Sequence, residues 1–126
     1  EKSKAESDIE TSIKHNLENI KLRNEQEVIL FRSVDEILKN VVKHAAATKV
    51  DITTEATRYS FSVSIQDNGK GFDTSILTPE RRWRDSFGLF SIKERIEYLG
   101  GVLDIRSENG NGTLVILNIP VSMEGI

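Results

Sequence analysis

The sequence has no cysteine, and that one absence removes disulfide frameworks, thiolate nucleophiles and cysteine-ligated zinc or iron–sulfur sites. It has only two prolines, and it shows no proline- or glycine-rich linker, internal repeat or low-complexity tract. A basic excess is also missing: 17 Lys and Arg stand against 20 Asp and Glu, a formal charge of -3 that argues against a non-specific nucleic-acid binder. The longest apolar runs, Val28–Phe31 and Leu114–Leu117, fall far short of the ~20 residues that span a bilayer, and the first residues carry no signal-peptide pattern. What remains is 126 residues of mixed apolar and charged composition, a length that suits one domain with one core. The chain starts at Glu1, and the expectation is of a piece excised from a longer protein, with any membrane segment lying outside it.

Residues 1–7 are charged and small and read as the tail of an upstream connector; residues 8–126 read as the domain. Alternation of Ile9, Thr11 and Ile13 with Glu10, Ser12 and Lys14 predicts a strand at 8–14. Asn24 with Glu27 three places on has the form of a capping box, which predicts a helix over 25–46. Lys49–Glu55 and Arg58–Gln66, rich in Val, Ile, Thr, Phe and Tyr, predict an antiparallel hairpin around Ala56-Thr57. Residues 73–86 show neither period and read as a long, functional loop. A second helix is expected over 88–99, stopped by Gly100-Gly101. Val102–Ser107 and Gly112–Pro120 then form a second hairpin across Asn109-Gly110-Asn111-Gly112. The order β-α-β-β-loop-α-β-β predicts an α+β two-layer sandwich, with helices on one face of a mixed sheet and the other face more exposed.

Three groups of residues carry candidate chemistry. On the first helix Glu36, Asn40, Lys43 and His44 share one stripe, while Val34, Ile37, Leu38, Val41 and Ala45 share the opposite one. A carboxylate and an amide oxygen one turn apart suit Mg2+, and the adjacent Lys and His suit phosphate oxygens; taken alone, the same stripe is also that of any solvated helix face. Asp67, followed by Gly69 and Gly71, reads either as an Asn-Gly turn or as an acceptor for an exocyclic amine beside backbone that a flat ligand approaches. The aperiodic loop after Gly71, where a partner strand would stand, weakens the turn reading. Gly88 enters the second helix, whose N-terminal N–H groups suit an anion, with Lys93 as a further cation. There is no P-loop, no GxGxxG fingerprint and no EF-hand. The cluster Arg81-Arg82-Trp83-Arg84 lies between Glu80 and Asp85 and better suits a loop folding over phosphates or meeting a protein than a nucleic-acid site. His15 reads as surface decoration.

In order and spacing these elements resemble the catalytic domain of sensor histidine kinases. FRSVDEILKNVVKHA (31–45) is similar to the N box, DNGKGF (67–72) to the G1 box, residues 73–86 to the ATP lid, and SFGLFSIKERIEYLGG (86–101) to the G2 box. Gly110-Asn111-Gly112-Thr113 resembles the terminal glycine-threonine element, and the Asn40, Lys43-His44 and GLFSIKER patterns resemble the subgroup of nitrate and lipid-fluidity sensors. The resemblance implies a Bergerat fold of the GHKL superfamily that binds ATP with Mg2+. It implies Asn40, with Glu36 beside it, as the metal-binding positions, and Lys43 and His44 as phosphate contacts. Asp67 would hold the adenine amine, with Gly69 and Gly71 shaping its pocket and Phe72 among the nucleotide-binding positions. Gly88 and Leu89 would cover the phosphates, and Thr113 would support the adenine side. One departure is Ser91, where many relatives carry a second glycine; another is the absence from this chain of the phospho-acceptor histidine helix.

The resemblance further implies transfer of the ATP γ-phosphoryl group to a histidine on a dimerisation helix of the same parent protein, then to an aspartate of a response regulator. The expected location is cytoplasmic, as the intracellular part of a membrane-anchored sensor, with no nucleic-acid partner and no membrane contact by this segment. Two rivals stay open on the residues: a serine kinase of the anti-sigma-factor type with Glu36 as base, and a nucleotide-sensing or docking module that transfers nothing.

Overall fold

Alternation builds the sheet. Phe61, Val63 and Ile65 are buried while Ser62, Ser64 and Gln66 between them are not, so this stretch presents one face to a core and the other toward water. In the computed structural model, which describes residues 9–16, 22–72 and 88–121, that pattern extends over a five-stranded mixed sheet. The strands are β1 (Glu10–Asn16), β2 (Lys49–Ala56), β3 (Ser60–Asp67), β4 (Val102–Ser107) and β5 (Thr113–Pro120), in spatial order β1-β2-β3-β5-β4. Only the β1–β2 pairing is parallel, as expected where a helix separates the two strands. The inward residues meet in rows: Ile52, Ile65, Val115 and Ile105 are mutual neighbours, and so, one row on, are Val50, Asp67, Thr113 and Ser107.

Two helices complete the core. Helix α1 (Asn24–Asn40) buries Leu30, Ser33 and Ile37, a stripe at helical spacing, and α2 (Leu89–Tyr98) buries Leu89, Ile92 and Ile96. Both stripes join the inward strand residues in one apolar cluster. The α+β layout expected from the sequence is therefore the observed one, and no helix among the described residues is long and apolar enough to cross a membrane.

Boundaries moved for identifiable reasons. The strand expected at 8–14 lies at 10–16, because its ladder is set by β2, with Glu10 opposite Lys49. The start of α1 is capped one residue earlier than Asn24/Glu27 suggested: the Arg23 N–H donates to Gln26 Oε1 at 2.9 Å, and Gln26 is itself buried, its Nε2 donating to the Pro120 carbonyl. The helix expected to reach 46 leaves α geometry after Asn40, widens into a π turn over Val41–Ala45, and stops at Ala46, a left-handed residue with φ 54°. Thr57, whose hydroxyl accepts from the Tyr59 and Ser60 N–H groups, delays the start of β3 to Ser60. The loop 73–86, the Arg81–Arg84 cluster, the connector 1–7 and the His15 side chain lie outside the described residues.

Asn68 fastens the turn after β3 to the start of β2. Its Oδ1 accepts from the Thr48 and Lys49 N–H groups, both at 2.9 Å, and its Nδ2 donates to Thr48 Oγ1 at 3.0 Å. Asn68→Ala is expected to lower stability by about 1–2 kcal/mol, measured by urea unfolding, because two backbone donors lose their acceptor. An unchanged midpoint would show that water replaces the amide without loss.

Candidate nucleotide site

Asp67 ends the inward series Phe61, Val63, Ile65, so the alternation that builds the core also drives a carboxylate into it. It is 5% exposed, and it is the one buried carboxylate among the described residues. Its Oδ1 accepts the Gly69 N–H at 2.8 Å, and the Thr113 N–H also reaches the carboxylate. Burial raises its pKa above the ordinary aspartate value, and the two N–H donors only partly oppose that rise.

Above Asp67 a cleft of about 300 Å³ lies against the C-terminal end of α1, the π turn and the sheet. Its walls are mainly apolar, with Ile37, Val41, Ala45, Ile65, Leu89, Ile105 and Val115 joined by Asn40, His44, Asp67, Lys70, Gly71, Phe72 and Thr113. An apolar slot with one acceptor at its base is complementary to a planar ring bearing an N–H donor. A second depression, about 390 Å³, adjoins it and is lined by Arg32, Asp35, Glu36, Lys39, Asn40, Lys43 and Arg95. Two of its four cations are paired with its two carboxylates, Lys39 with Asp35 and Arg95 with Glu36, and the net positive lining that Arg32 and Lys43 then leave suits a polyanion. Asn40 borders both spaces, at the place where a ring-shaped group would give way to a charged one.

The structure thus gathers most of the residues singled out from the sequence. Asn40, His44, Asp67, Gly71, Phe72, Leu89 and Thr113 line the cleft, and Glu36 and Lys43 line the basin. Three details differ from expectation. Gly69 and Gly88 line neither space: Gly69 lies against the Ala45 carbonyl, where any Cβ would collide, and Lys70 N–H donates to that same carbonyl at 2.8 Å. Lys93 pairs along its own helix with Glu97 at 2.8 Å, as an ordinary i,i+4 pair. Glu36 accepts from Arg95 Nη1 at 3.0 Å, and its other oxygen lies against Gly88, so this carboxylate spans the two helices. Ser91 lies exposed in the first turn of α2, and Gly88 at the N-cap is left-handed, φ 76°.

Several site residues escaped the sequence reading. The apolar stripe of α1 was expected to serve the core alone, yet Ile37, and Val41 and Ala45 of the π turn that follows, also wall the cleft. Ser107 was missed altogether. Its hydroxyl accepts the Phe72 N–H at 2.8 Å and contacts the Gly112 carbonyl and Thr113 Oγ1, fixing the segment that leaves the cleft. Only the cross-strand register, with Ser107 opposite Thr113 and Thr113 opposite Asp67, reveals it.

As for a metal, Asn40 and Glu36 line one basin, and the amide and carboxylate oxygens that these side chains carry are donors of the kind that fits Mg2+, which keeps several waters and takes phosphate oxygens as further ligands.

Comparison with known proteins agrees with this geometry. The chain is 43% identical over 98 residues to the signal transduction histidine-protein kinase/phosphatase DegS of Brevibacillus brevis, a match covering 78% of this chain and 24% of that protein. It is 36% identical over 95 residues to the sensor histidine kinase LiaS of Bacillus subtilis, covering 75% and 25%. The chain therefore spans about a quarter of the length of these curated relatives. Among solved structures, the catalytic domain of histidine kinase ThkA superposes with a TM-score of 0.76 at 17% identity, over 99% of this chain and 86% of that one. The blue-light activated histidine kinase of Erythrobacter litoralis EL346 superposes with a TM-score of 0.75 at 20% identity, over 93% and 36%; both likenesses concern the fold. Residues 25–123 match the family described as histidine kinase-, DNA gyrase B-, and HSP90-like ATPase, and with that match the chain belongs to this family.

Proposed function

We propose that this chain is the ATP-binding, phosphoryl-donating domain of a two-component sensor histidine kinase. The observation that carries the proposal is Asp67: a buried carboxylate at the base of an apolar cleft, one wall of which opens past Asn40 into a cationic basin. The adenine amine donates to Asp67, the ring lies among Ile65, Val115 and Ile105, and the phosphates run over Asn40 toward Lys43 and His44. Gly88 and Leu89, at the N-terminus of α2, bring backbone N–H groups and the positive end of the helix dipole to the same phosphates. Mg2+, held by Asn40 with Glu36 beside it, neutralises phosphate charge when bound.

In the reaction the terminal P–O bond of ATP breaks, a P–N bond forms to an imidazole nitrogen of the acceptor histidine, and ADP leaves. This domain contributes positioning and charge compensation rather than covalent chemistry. The acceptor histidine lies on a helix of the parent protein, and a response-regulator aspartate receives the phosphoryl group next. The similarity to DegS and LiaS, both histidine kinases, favours this reading over a serine kinase or a silent docking module.

Calorimetric titration with a non-hydrolysable ATP analogue tests the site. Saturable binding is expected, with Asn40→Ala weakening it about tenfold in Mg2+ and less than twofold in EDTA, since the amide acts on the metal and not on the ring. Equal weakening in both conditions would remove Asn40 from the metal. No binding at millimolar nucleotide by the folded protein would remove the ATP reading altogether.

A further inference from the structure

Four ion pairs are seen among the described residues, and three of them are local: Lys39–Asp35 and Lys93–Glu97 are i,i+4 pairs on single helices, and Arg106–Asp104 lies within β4. The fourth, Arg95 to Glu36, joins residues 59 apart in sequence and ties α2 to α1. Both side chains are about one-third exposed, at 30% and 34%, so the pair sits in the wall of the basin and not out in solvent. The Glu36 carboxylate is held from two directions: Arg95 Nη1 donates to Oε1 at 3.0 Å, and Oε2 rests against Gly88, where a side chain of any size would displace it.

We infer that Arg95 is a positioning residue for Glu36. It never needs to touch nucleotide; it holds Glu36, one of the two carboxylates of the basin that Asn40 also lines, in a single orientation where the proposed phosphoryl transfer takes place. A glutamate side chain has three rotatable bonds, and without a partner it would spread over several rotamers, each placing the carboxylate elsewhere. A guanidinium suits the task because its planar array of donors fixes direction as well as charge, which a lysine ammonium does less well. The dependence on Gly88 adds a second consequence: the carboxylate marks the first turn of α2, so the two helices keep a common register at the phosphate end of the site. The inference rests on the ATP-binding reading above and adds to it a residue of the basin wall whose charge is taken up by Glu36 and not by phosphate.

The experiment is a double-mutant cycle in the full-length kinase, with Arg95→Met, Arg95→Lys, Glu36→Gln and the combined Arg95→Met/Glu36→Gln. Acid-labile phosphoryl transfer is followed under single-turnover conditions with radiolabelled ATP, beside analogue affinity and melting temperature. Arg95→Met is expected to lower the transfer rate about tenfold or more, to leave analogue affinity within about twofold, and to shift melting by only a few degrees, as a partly exposed pair dictates. Arg95→Lys should recover part of the rate. In the Glu36→Gln background, Arg95→Met should have no further effect.

Multiplicative losses in the double variant, or an affinity loss that accounts for the whole rate loss, would overturn the inference. So would a Glu36→Gln variant that transfers at the wild-type rate. An Asp67→Asn control separates the two levels. If it leaves analogue affinity unchanged, the ATP reading itself fails; if affinity collapses while the cycle is multiplicative, only the role of Arg95 is lost.

Discussion

Asparagine in place of Asp67 is expected to weaken binding of an ATP analogue about a hundredfold while raising the melting temperature of the free protein. The loss follows from the loss of a charge-assisted hydrogen bond in a dry slot and from an amide N–H₂ left facing the ring, together worth about 2–3 kcal/mol. The gain in the free protein follows from the same burial. A carboxylate at 5% exposure is disfavoured in its charged form, its pKa is raised, and a neutral amide of equal size escapes that penalty while its oxygen still accepts the Gly69 N–H.

The sign of the pH dependence separates the two effects. Because the folded protein holds the Asp67 proton more tightly than the unfolded chain, the stability this group contributes is greatest below the ordinary aspartate pKa and is lost as pH rises through the raised folded value. Analogue affinity runs the other way, since the bound amine requires the carboxylate. It should fall on acidification through the raised pKa, and the asparagine variant should be flat over that window. Thermal melts and calorimetry from acidic to neutral pH measure both. A variant that binds like the wild type would show that the ring is held elsewhere. A GTP analogue is the matching ligand control: guanine presents an acceptor oxygen where adenine presents its amine, so the wild type should reject it and the variant should discriminate less.

Alanine at Gly71 is expected to lower the melting temperature by about 12 °C. Gly71 has φ 66°, in the left-handed region, and a Cβ there would strike the carbonyl oxygens of Glu108 and Gly112. Neither obstacle is a flexible side-chain end; both are backbone of the β4–β5 turn, so relief requires moving the turn. The combined strain and collision amount to about 3 kcal/mol, and a domain of this size loses roughly 4 °C per kcal/mol. The adjacent Phe72 N–H would leave Ser107, and nucleotide affinity should fall with stability. Gly110→Ala is the internal control. Gly110 also has positive φ, 87°, but nothing lies within 4 Å of a Cβ built there, so only the conformational term of about 1 kcal/mol applies. Equal losses at the two positions would show that collision with the turn contributes nothing.

Much of this was readable beforehand, and the reasons are local. Strand alternation from Phe61 to Ile65, the turn chemistry at Asn109–Gly112 and the glycine stop at Gly100-Gly101 are short-range signals, and the observed elements follow them within a few residues. The candidate site was legible where its residues cluster in sequence, as Glu36 to His44 and Asp67 to Phe72 do. It was illegible where residues meet through register or helix crossing. Nothing near Ser107 marks it as a partner of Phe72, and nothing near Arg95 marks it as the partner of Glu36, because each contact is made by an element whose position other elements decide.

The sequence by itself determined the class of the fold and the order and approximate places of its strands and helices, since alternation, helical spacing and turn chemistry act over a few residues. Only the tertiary structure decided that α1 gives way to a π turn and that Val41 and Ala45 of that turn wall a cleft. It alone decided too that Glu36 is engaged by α2. Both depend on how far apart two packed elements settle, a balance of contacts between residues far apart in the chain, and no local pattern of amino acids encodes that distance.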